Sequence, residues 1–527
     1  MGDTPVATDL GIQPNVAVSH TATAGMTTRV VRGTLWTLGG QAIMLLGVFL
    51  ATPFVIRLLG SESYGVLALI NILIGYLAFA DMGMGLAATR FGANAHSRSD
   101  HENEATIVWT SVLIAAFPTA TFAALLASLA GPLVQHALRL PSPIENTAVT
   151  ALRLAALGFF AGSIAGVLNS PQLVRLRMDL TTFVSAGAAI LQNCLIPFLL
   201  LLGWGLISVV GAMVGVRVAS LLANAIISQR LLPNLLPPRI DLALIKPLLR
   251  FGGGLVASAL AGMILVNAEK LLLARYASVT ALAHYSIAFT VAGLLAIAPG
   301  AMRQSLLPAF SRFQAESDCE SLKRLYSRVL RGTLLWITPA ALLLCVAAKP
   351  FFTLWAGPEF GRESTLPFYL LVGGLMFNVM AYVPHSLLMA FGRSDLIARF
   401  HLAELLPYLI CAAALTYRFG AVGAALAWSL RVTVDALLFF LAAQRIAVFS
   451  PLPFPVRKGT YAIAIAMLMF PVPLIAWASS SFTAVAFATA LSLLTYGGLV
   501  WIRVLTDEER AWLTSMPVWF RRGLIGT

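Results

Sequence analysis

Long apolar runs are the feature of this sequence that most constrains its fold. From Gly33 to Leu505, runs of about 20–28 residues follow one another with short polar breaks between them. Such a run can cross the hydrocarbon core of a bilayer as a helix, because its backbone polar groups are bonded within the segment. The sequence therefore predicts an all-α polytopic membrane protein with about 14 transmembrane helices. The predicted spans are 33–56, 64–90, 105–130, 148–172, 179–203, 205–229, 251–274, 279–305, 327–348, 366–391, 396–418, 421–444, 458–480 and 483–504.

The basic residues are distributed unevenly along this pattern. The chain carries 35 Lys and Arg residues against 22 Asp and Glu residues, a formal net charge of +13. When the N-terminus is placed inside, most of the basic residues fall on cytoplasmic loops and helix ends, as the positive-inside rule requires. The charge therefore predicts cytoplasmic N- and C-termini and contact with membrane lipids, and it indicates no nucleic-acid partner.

The sequence lacks the signals of enzymatic chemistry and of cofactor binding. Its four cysteines form no CxxC pair, so they indicate neither a disulfide framework nor a metal site. It contains no phosphate-binding GxxxxGK loop, no HExxH and no GxSxG motif. The loops on the outer side are too short for a catalytic domain. The sequence therefore predicts a carrier with no catalytic residues, no cofactor and no metal.

Two parts of the sequence resemble each other at an offset of 214–218 residues. Arg217-Val218 corresponds to Arg431-Val432, and Arg32-Gly33 corresponds to Arg250 with the residue that follows it. Because six spans separate the two copies, both enter the membrane in the same sense, as in the parallel repeats of some transporters. The predicted domains are a disordered cytoplasmic tail (1–28), an N-lobe (29–232, spans 1–6), a C-lobe (246–446, spans 7–12), accessory spans 13 and 14 (457–505) and a cytoplasmic tail on the membrane surface (506–527).

Charged residues inside the predicted spans are the candidate functional residues. A charge at the centre of a bilayer costs at least ~2.5–3.5 kcal/mol, so each needs a partner or a wet cavity. Arg217 and Arg431 lie near the middle of spans six and twelve. If both face one cavity, their planar guanidinium groups form a site for a phosphate or diphosphate. Alternatively, Arg431 pairs with Asp435 one helical turn away, whereas the helix of Arg217 offers no acidic partner.

Further charged residues lie nearer the ends of the spans. Each of them is a substrate contact, a protonation site or an ion-paired packing residue, and the sequence leaves these alternatives open. His401 lies on the same helical face as Glu404 in span eleven. The candidate substrate-binding residues are Arg217, Arg431, Lys270, Arg32 and Arg90. The candidate ion-coupling residues are Asp81, Glu269, Glu404 and Asp435.

Several motifs resemble those of a known family. They are Leu59-Gly60-Ser61-Glu62-Ser63-Tyr64-Gly65 after span one, Asp81-Met82-Gly83-Met84-Gly85-Leu86-Ala87-Ala88-Thr89-Arg90 in span two, Leu354-Trp355-Ala356-Gly357-Pro358-Glu359-Phe360 after span nine, Ala390-Phe391-Gly392-Arg393 after span ten, and Gly420-Ala421-Val422-Gly423-Ala424-Ala425-Leu426-Ala427 entering span twelve. In order and spacing they resemble the bacterial O-antigen-type flippases of the multidrug/oligosaccharidyl-lipid/polysaccharide exporter superfamily. The resemblance covers about residues 29–505.

The resemblance implies a fold, a substrate and a location. The fold is two pseudo-symmetric six-helix lobes around a cationic central cavity, with two accessory helices. The substrate is an undecaprenyl-diphosphate-linked oligosaccharide, which is moved from the inner to the outer leaflet of the bacterial inner membrane during polysaccharide biosynthesis. A polysaccharide polymerase and a chain-length regulator are implied as partners, and cavity Arg or Lys residues are implied to hold the diphosphate.

Four other classes of protein remain open at this point. A peptidoglycan-precursor flippase or a cation-coupled drug antiporter would belong to the same superfamily. An antiporter for cationic drugs is expected to have a cavity dominated by carboxylates, whereas this sequence places arginines at mid-membrane. A membrane glycosyltransferase or glycan polymerase would need catalytic residues in a sizeable outer loop, which the sequence lacks. A purely structural membrane protein is the last alternative.

Overall fold

The computed structural model describes residues 20–138, 142–447, 482–505 and 510, and these residues contain helices and no strand. The predicted span 458–480 and most of both tails lie outside the described residues. Helix α1 begins at His20, within the tail predicted as disordered, and continues without a break into span one. The helices are α1 His20–Leu59, α2 Ser61–Tyr76, α3 Met84–Ser97, α4 His101–Pro132, α5 Ser142–Leu168, α6 Ser170–Val174, α7 Met178–Leu201, α8 Leu206–Leu231, α9 Ile245–Tyr276, α10 Val279–Gly293, α11 Ile297–Ala315, α12 Cys319–Trp355, α13 Pro358–Glu363, α14 Thr365–Ala390, α15 Ser394–Ala447 and α16 Phe482–Leu499.

The described residues confirm the prediction of an all-α polytopic membrane protein. They contain 11 helices that are long and apolar enough to cross a membrane. One of these is the segment Ser394–Ile446, which contains two of the predicted spans. The number of 14 spans stays a prediction, because it depends partly on residues outside the described part of the chain.

Helix α15 reverses direction at Gly420 and forms a helical hairpin. Gly420 has φ 55° and ψ −131°, a backbone conformation outside the helical region. A side chain on Gly423 would collide with the carbonyl oxygen of Leu415, although residues eight apart in a straight helix are separated by about 12 Å. The first limb (394–419) and the second limb (421–447) therefore run antiparallel, as predicted for spans eleven and twelve.

The second span of each predicted lobe is interrupted at a matching place. Between α2 and α3 the chain forms a 3-10 turn, Leu77–Asp81, followed by left-handed conformations at Met82 and Gly83. Between α10 and α11 it forms a 3-10 turn, Leu294–Ala296, which begins 217 residues after Leu77. The carboxylate of Asp81 accepts a hydrogen bond from the Gly83 N–H at 2.9 Å and thereby stabilises the first break. These breaks fall at the offset of the sequence repeat, and the lobe boundaries stay a prediction.

The two predicted lobes share one buried core at one end of the bundle. We call this the outer end, following the predicted orientation; α8 and α10 begin there. One apolar cluster contains Ile56, Val66 and Val209 from the first lobe together with Leu282 and Phe352 from the second. At the inner end, each lobe has its own buried clusters, and among the described residues the start of α9 is the part of the second lobe that packs against the first. The described structure is therefore sealed at its outer end.

Close contacts between the lobes form this outer seal. Helix α2 meets α10 so closely that a side chain on Gly65 would collide with the carbonyl oxygen of Val279. Trp355 Nε1 donates to the Phe49 carbonyl at 3.2 Å, and its ring lies 5.4 Å from the Phe49 ring. The Arg57 guanidinium donates to the Leu354 carbonyl. These contacts hold α1 and α2 against α10 and α12.

Candidate functional site

A cavity of about 340 Å³ lies within the first lobe, between α2, α5 and α8. Its polar lining residues are Asn71, Asp81, Ser163 and Arg217. The break between α2 and α3 places Asp81 there. The volume of this cavity, and its lining by one acidic and one basic side chain, suit part of a polar headgroup rather than an apolar ligand.

Arg217 reaches this cavity because glycines on α5 leave room for its side chain. A Cβ atom on Gly162 would lie 3.4 Å from Arg217 Nη1, and one on Gly158 would lie 3.1 Å from Val214 Cγ2. The residue is exposed, and no carboxylate among the described residues forms an ion pair with it. Arg217 is therefore a guanidinium in mid-span that has no hydrogen-bond or ion-pair partner among the described residues.

Arg431 is half-buried in the second limb of α15. Its Cζ lies 5.5 Å from the centroid of the Tyr408 ring, a cation–π contact across the hairpin. Its Nε is buried without a hydrogen-bond partner among the described residues. Arg431 and Asp435 do not lie within ion-pair distance of each other. Asp435 Oδ1 lies 3.7 Å from His401 Nε2 instead.

Two carboxylates face each other across the same hairpin. Glu404 on the first limb and Asp435 on the second are both buried, at 7% and 6% exposure, and lie close enough to interact electrostatically. Within the described part of the chain, neither oxygen of Glu404 has a donor. Two neighbouring ionised carboxylates repel each other, whereas a proton bound by one of them removes that repulsion and can be shared in a hydrogen bond. The arrangement can therefore hold a proton or a small cation.

Glu269 forms a second buried carboxylate site, between α9, α10 and α15. It is 0% exposed and accepts hydrogen bonds from Tyr408 at 2.6 Å and from Tyr285 at 3.2 Å. The sequence did not point to these tyrosines, since their hydroxyl groups meet Glu269 only in the tertiary structure.

Lys270 is bonded to groups of its own helix. Its Nζ donates to Asn267 Oδ1 at 2.8 Å and to the Val266 carbonyl at 3.1 Å, and lies 3.9 Å from Glu269 Oε1. The same atom lies 4.0 Å from the Phe289 ring centroid. These contacts leave the ammonium near the Glu269 site, with protein partners around it.

The remaining candidates lie nearer the inner end. Arg32 lies on α1, and its side chain is outside the described residues. Arg90 on α3 is exposed, with its Cζ 4.5 Å from the ring centroid of Phe251 on α9. Arg303 on α11 is likewise exposed and lies 5.0 Å from the Tyr382 ring centroid. Arg303 was missed by the sequence analysis, although it follows the break in span eight much as Arg90 follows the break in span two.

The structure brings some of the candidates together and separates others. Arg217 lies on α8, which packs against α5 and α7, whereas Arg431 lies on α15, which packs against α14 and α9. No contact joins the two guanidinium groups in the described structure. In the second lobe, Tyr408 contacts both Arg431 and Glu269, so a cation and a buried anion are linked through one side chain.

Replacing Tyr408 by Phe tests this link. We expect the variant to lose transport, because Glu269 would lose its shortest hydrogen bond inside an apolar region, at a cost of about 1–3 kcal/mol. Transport and thermal unfolding of the purified protein should be measured together. Tyr417→Phe is the matched control, since Tyr417 lies on the same limb and is 76% exposed. Equal behaviour of both variants would contradict a role for the link.

The described helices define a polytopic helical membrane protein. A lipid II flippase MurJ in an inward closed conformation matches it with a TM-score of 0.67 and 12% identity, covering 89% of this chain and 99% of that one. An inward-facing MATE family transporter of the MOP superfamily matches with a TM-score of 0.61 and 16% identity, covering 79% and 94%. These likenesses confirm the predicted fold class.

The chain belongs to the polysaccharide biosynthesis protein family. The model of that family matches residues 54–362, more than half of the 527 residues. A relative from Shigella flexneri, named "Putative O-antigen transporter", is 24% identical over 417 residues, which is 78% of this chain and 96% of the relative. These findings confirm the resemblance indicated by the sequence motifs.

Proposed function

We propose that the protein is a flippase for an undecaprenyl-diphosphate-linked oligosaccharide. It moves the headgroup from the inner to the outer leaflet of the bacterial inner membrane for polysaccharide biosynthesis. N- and C-termini are cytoplasmic in this proposal, as the positive-inside bias indicates. A polysaccharide polymerase and a chain-length regulator act on the product at the outer leaflet.

The physical problem in this reaction is the headgroup. A glycan and a diphosphate cannot enter hydrocarbon without losing the hydrogen bonds of water, whereas the polyprenyl tail can stay in the lipid. The carrier must therefore supply donors and positive charge inside the bundle. Arg217 supplies both in mid-span, lining a cavity and free of any described ion pair. This observation, with membership of the family, carries the proposal.

The other basic candidates act at different stages. Arg431 provides a second guanidinium at the corresponding place of the repeat, and Arg90 and Arg32 attract the diphosphate at the inner end. Lys270 adds positive charge beside Glu269, and its ammonium group is hydrogen-bonded to protein groups. It therefore attracts the substrate through long-range electrostatics rather than through a direct contact. An arginine can bind two phosphate oxygens with its fork of donors, which a lysine cannot.

We propose that the buried carboxylates couple transport to the movement of a cation. Glu404 and Asp435 share one proton in the sealed form, and that proton leaves when the two limbs of α15 are rearranged. His401, 3.7 Å from Asp435, and Arg431 are the titratable and charged neighbours on the hairpin. Glu269 and Asp81 are the further candidates for cation binding.

Amide variants test this coupling. Glu404→Gln and Asp435→Asn each keep a hydrogen-bonding partner at the pair but remove one exchangeable proton, so we expect folded proteins whose transport rate no longer depends on pH. The measurement is transport into proteoliposomes across a pH series. Asp395→Asn is the control, because Asp395 lies on the same limb, half-exposed at the inner end. Retention of the wild-type pH profile in both amide variants would contradict the assignment.

A second candidate is a flippase for a peptidoglycan precursor, which the likeness to the MurJ fold favours. Both lipids present a polyprenyl diphosphate, so the arginines do not distinguish them. Reconstituted protein should be given each lipid in turn, and a cationic drug as the third substrate. We expect flipping of the oligosaccharide lipid and no uptake of the drug. Flipping of the peptide-bearing precursor alone would favour the second candidate, and drug uptake alone would indicate an antiporter.

A further inference from the structure

Two histidines and a glutamate meet at the turn between α3 and α4, at the inner end of the first lobe. His96 Nδ1 lies 3.5 Å from Glu104 Oε2, and His101 Nδ1 lies 3.7 Å from the same oxygen. One potential ligand atom from each of the three residues lies within 4.8 Å of the other two. None of these residues lines the cavity of Arg217 or belongs to the carboxylate sites of the second lobe.

The local sequence fixes this arrangement. Ser99 takes a left-handed conformation, with φ 57°, and reverses the chain after α3. Asp100 then caps α4 by accepting the Asn103 N–H at 3.1 Å. His101 and Glu104 are three residues apart in α4 and therefore lie on one helical face. The turn brings His96, in the last turn of α3, to that same face.

The carboxylate of Glu104 is buried and also forms an ion pair with an arginine. Glu104 is 1% exposed, and Arg175 donates to Oε1 at 2.5 Å and to Oε2 at 3.1 Å. The guanidinium balances the negative charge and orients the carboxylate, as partners of metal-bound carboxylates do. His96 Nδ1 is buried and has no hydrogen-bond partner among the described residues. A buried nitrogen in that state is an unused ligand atom.

The two histidine–glutamate distances are close to those of a metal site. Ligand atoms about 2.0–2.2 Å from a tetrahedral zinc ion lie roughly 3.3–3.5 Å from one another. The two separations measured here, 3.5 and 3.7 Å, exceed this range by at most a few tenths of an ångström. Imidazole and carboxylate ligands suit zinc, cobalt, nickel and copper ions better than magnesium or calcium.

We propose that His96, His101 and Glu104 bind a divalent transition-metal ion of the zinc class, with a fourth position open to water. The ion ties the end of α3 to the start of α4, and through Arg175 to the end of α6. It thereby fixes the inner ends of spans two, three and four relative to one another. None of the three residues lines the cavity of Arg217, and metal binding can be measured without a transport assay.

The test is a cobalt and zinc titration of the purified full chain after removal of metals by a chelator. Four-coordinate cobalt absorbs strongly in the visible region, and zinc should displace it. We expect the wild type to bind one equivalent more than His96→Ala/His101→Ala, with at least a tenfold loss of affinity in His101→Ala alone. His101 is half-exposed, and its replacement leaves the Glu104–Arg175 pair intact, so this single variant is expected to fold.

A control variant separates this site from other histidines. His136→Ala, at the outer end, should bind cobalt as the wild type does. Equal stoichiometry and equal affinity in the wild type and His101→Ala would overturn the proposal. So would a loss of the bound equivalent in His136→Ala rather than in His101→Ala.

Discussion

Replacing Arg217 by Ala is expected to abolish transport while leaving the protein folded. A hydrogen bond to a charged group contributes about 1.5–3 kcal/mol, so losing the donors of one guanidinium weakens diphosphate binding by roughly 10–100-fold. The substitution shortens a side chain that lines a cavity and makes no described ion pair, so little stability should be lost. Transport into proteoliposomes and thermal unfolding are the two measurements.

Two further variants make this result specific. Arg217→Lys keeps the charge but removes the fork of donors, so we expect it to restore only part of the activity. Arg230→Ala is the matched control, because Arg230 is an exposed arginine in the last turn of the same helix and lies outside the cavity lining. Full activity in Arg217→Ala, or equal loss in Arg230→Ala, would remove Arg217 from the substrate site.

Replacing Gly65 by Leu is expected to stop transport for a different reason. The new side chain would collide with the backbone of Val279, so α2 and α10 could not come together at the outer end. Each 1.4 kcal/mol of strain in the sealed form shifts the equilibrium about tenfold towards forms that are open at that end. A backbone clash cannot be relieved by rotating a flexible side chain, and the shift should therefore be large.

Distances between the lobes measure this effect directly. Spin labels at Leu202→Cys and Arg362→Cys, both exposed residues near the outer end, should report a longer distance in Gly65→Leu than in the wild type. Gly187→Leu is the control, since Gly187 is exposed and a Cβ atom added there meets no atom within 4 Å. Unchanged distances together with normal transport in Gly65→Leu would contradict the role of the outer seal.

The sequence predicted the helices well and their interruptions poorly. Long apolar runs predict transmembrane helices directly, because a chain that crosses the bilayer must satisfy its backbone hydrogen bonds internally. The reversal at Gly420 also falls between two predicted spans. The break at Leu77–Asp81 was not predicted, because 3-10 turns inside an apolar run leave the composition unchanged. This break places Asp81 in one cavity with Arg217, and the sequence does not predict that placement because it depends on how three helices pack together.

Partners of charged residues were predicted least well. Spacing along one helix suggested Arg431 and Asp435 as a pair, whereas the structure places His401 beside Asp435 and Tyr408 beside Arg431. Both contacts cross the hairpin, and helical spacing contains no information about the opposite limb. The cluster at His96 was missed in the same way, since it depends on a turn and on Arg175 from another helix.

The sidedness of the polyprenyl-diphosphate oligosaccharide in cells lacking this protein tests the central claim most directly. We expect the completed lipid-linked oligosaccharide to accumulate in the inner leaflet and the surface glycan to be lost, with recovery on expression of the wild type and not of Arg217→Ala. If the oligosaccharide reaches the outer leaflet as separate unpolymerised units instead, the protein acts after translocation and the flippase assignment is wrong.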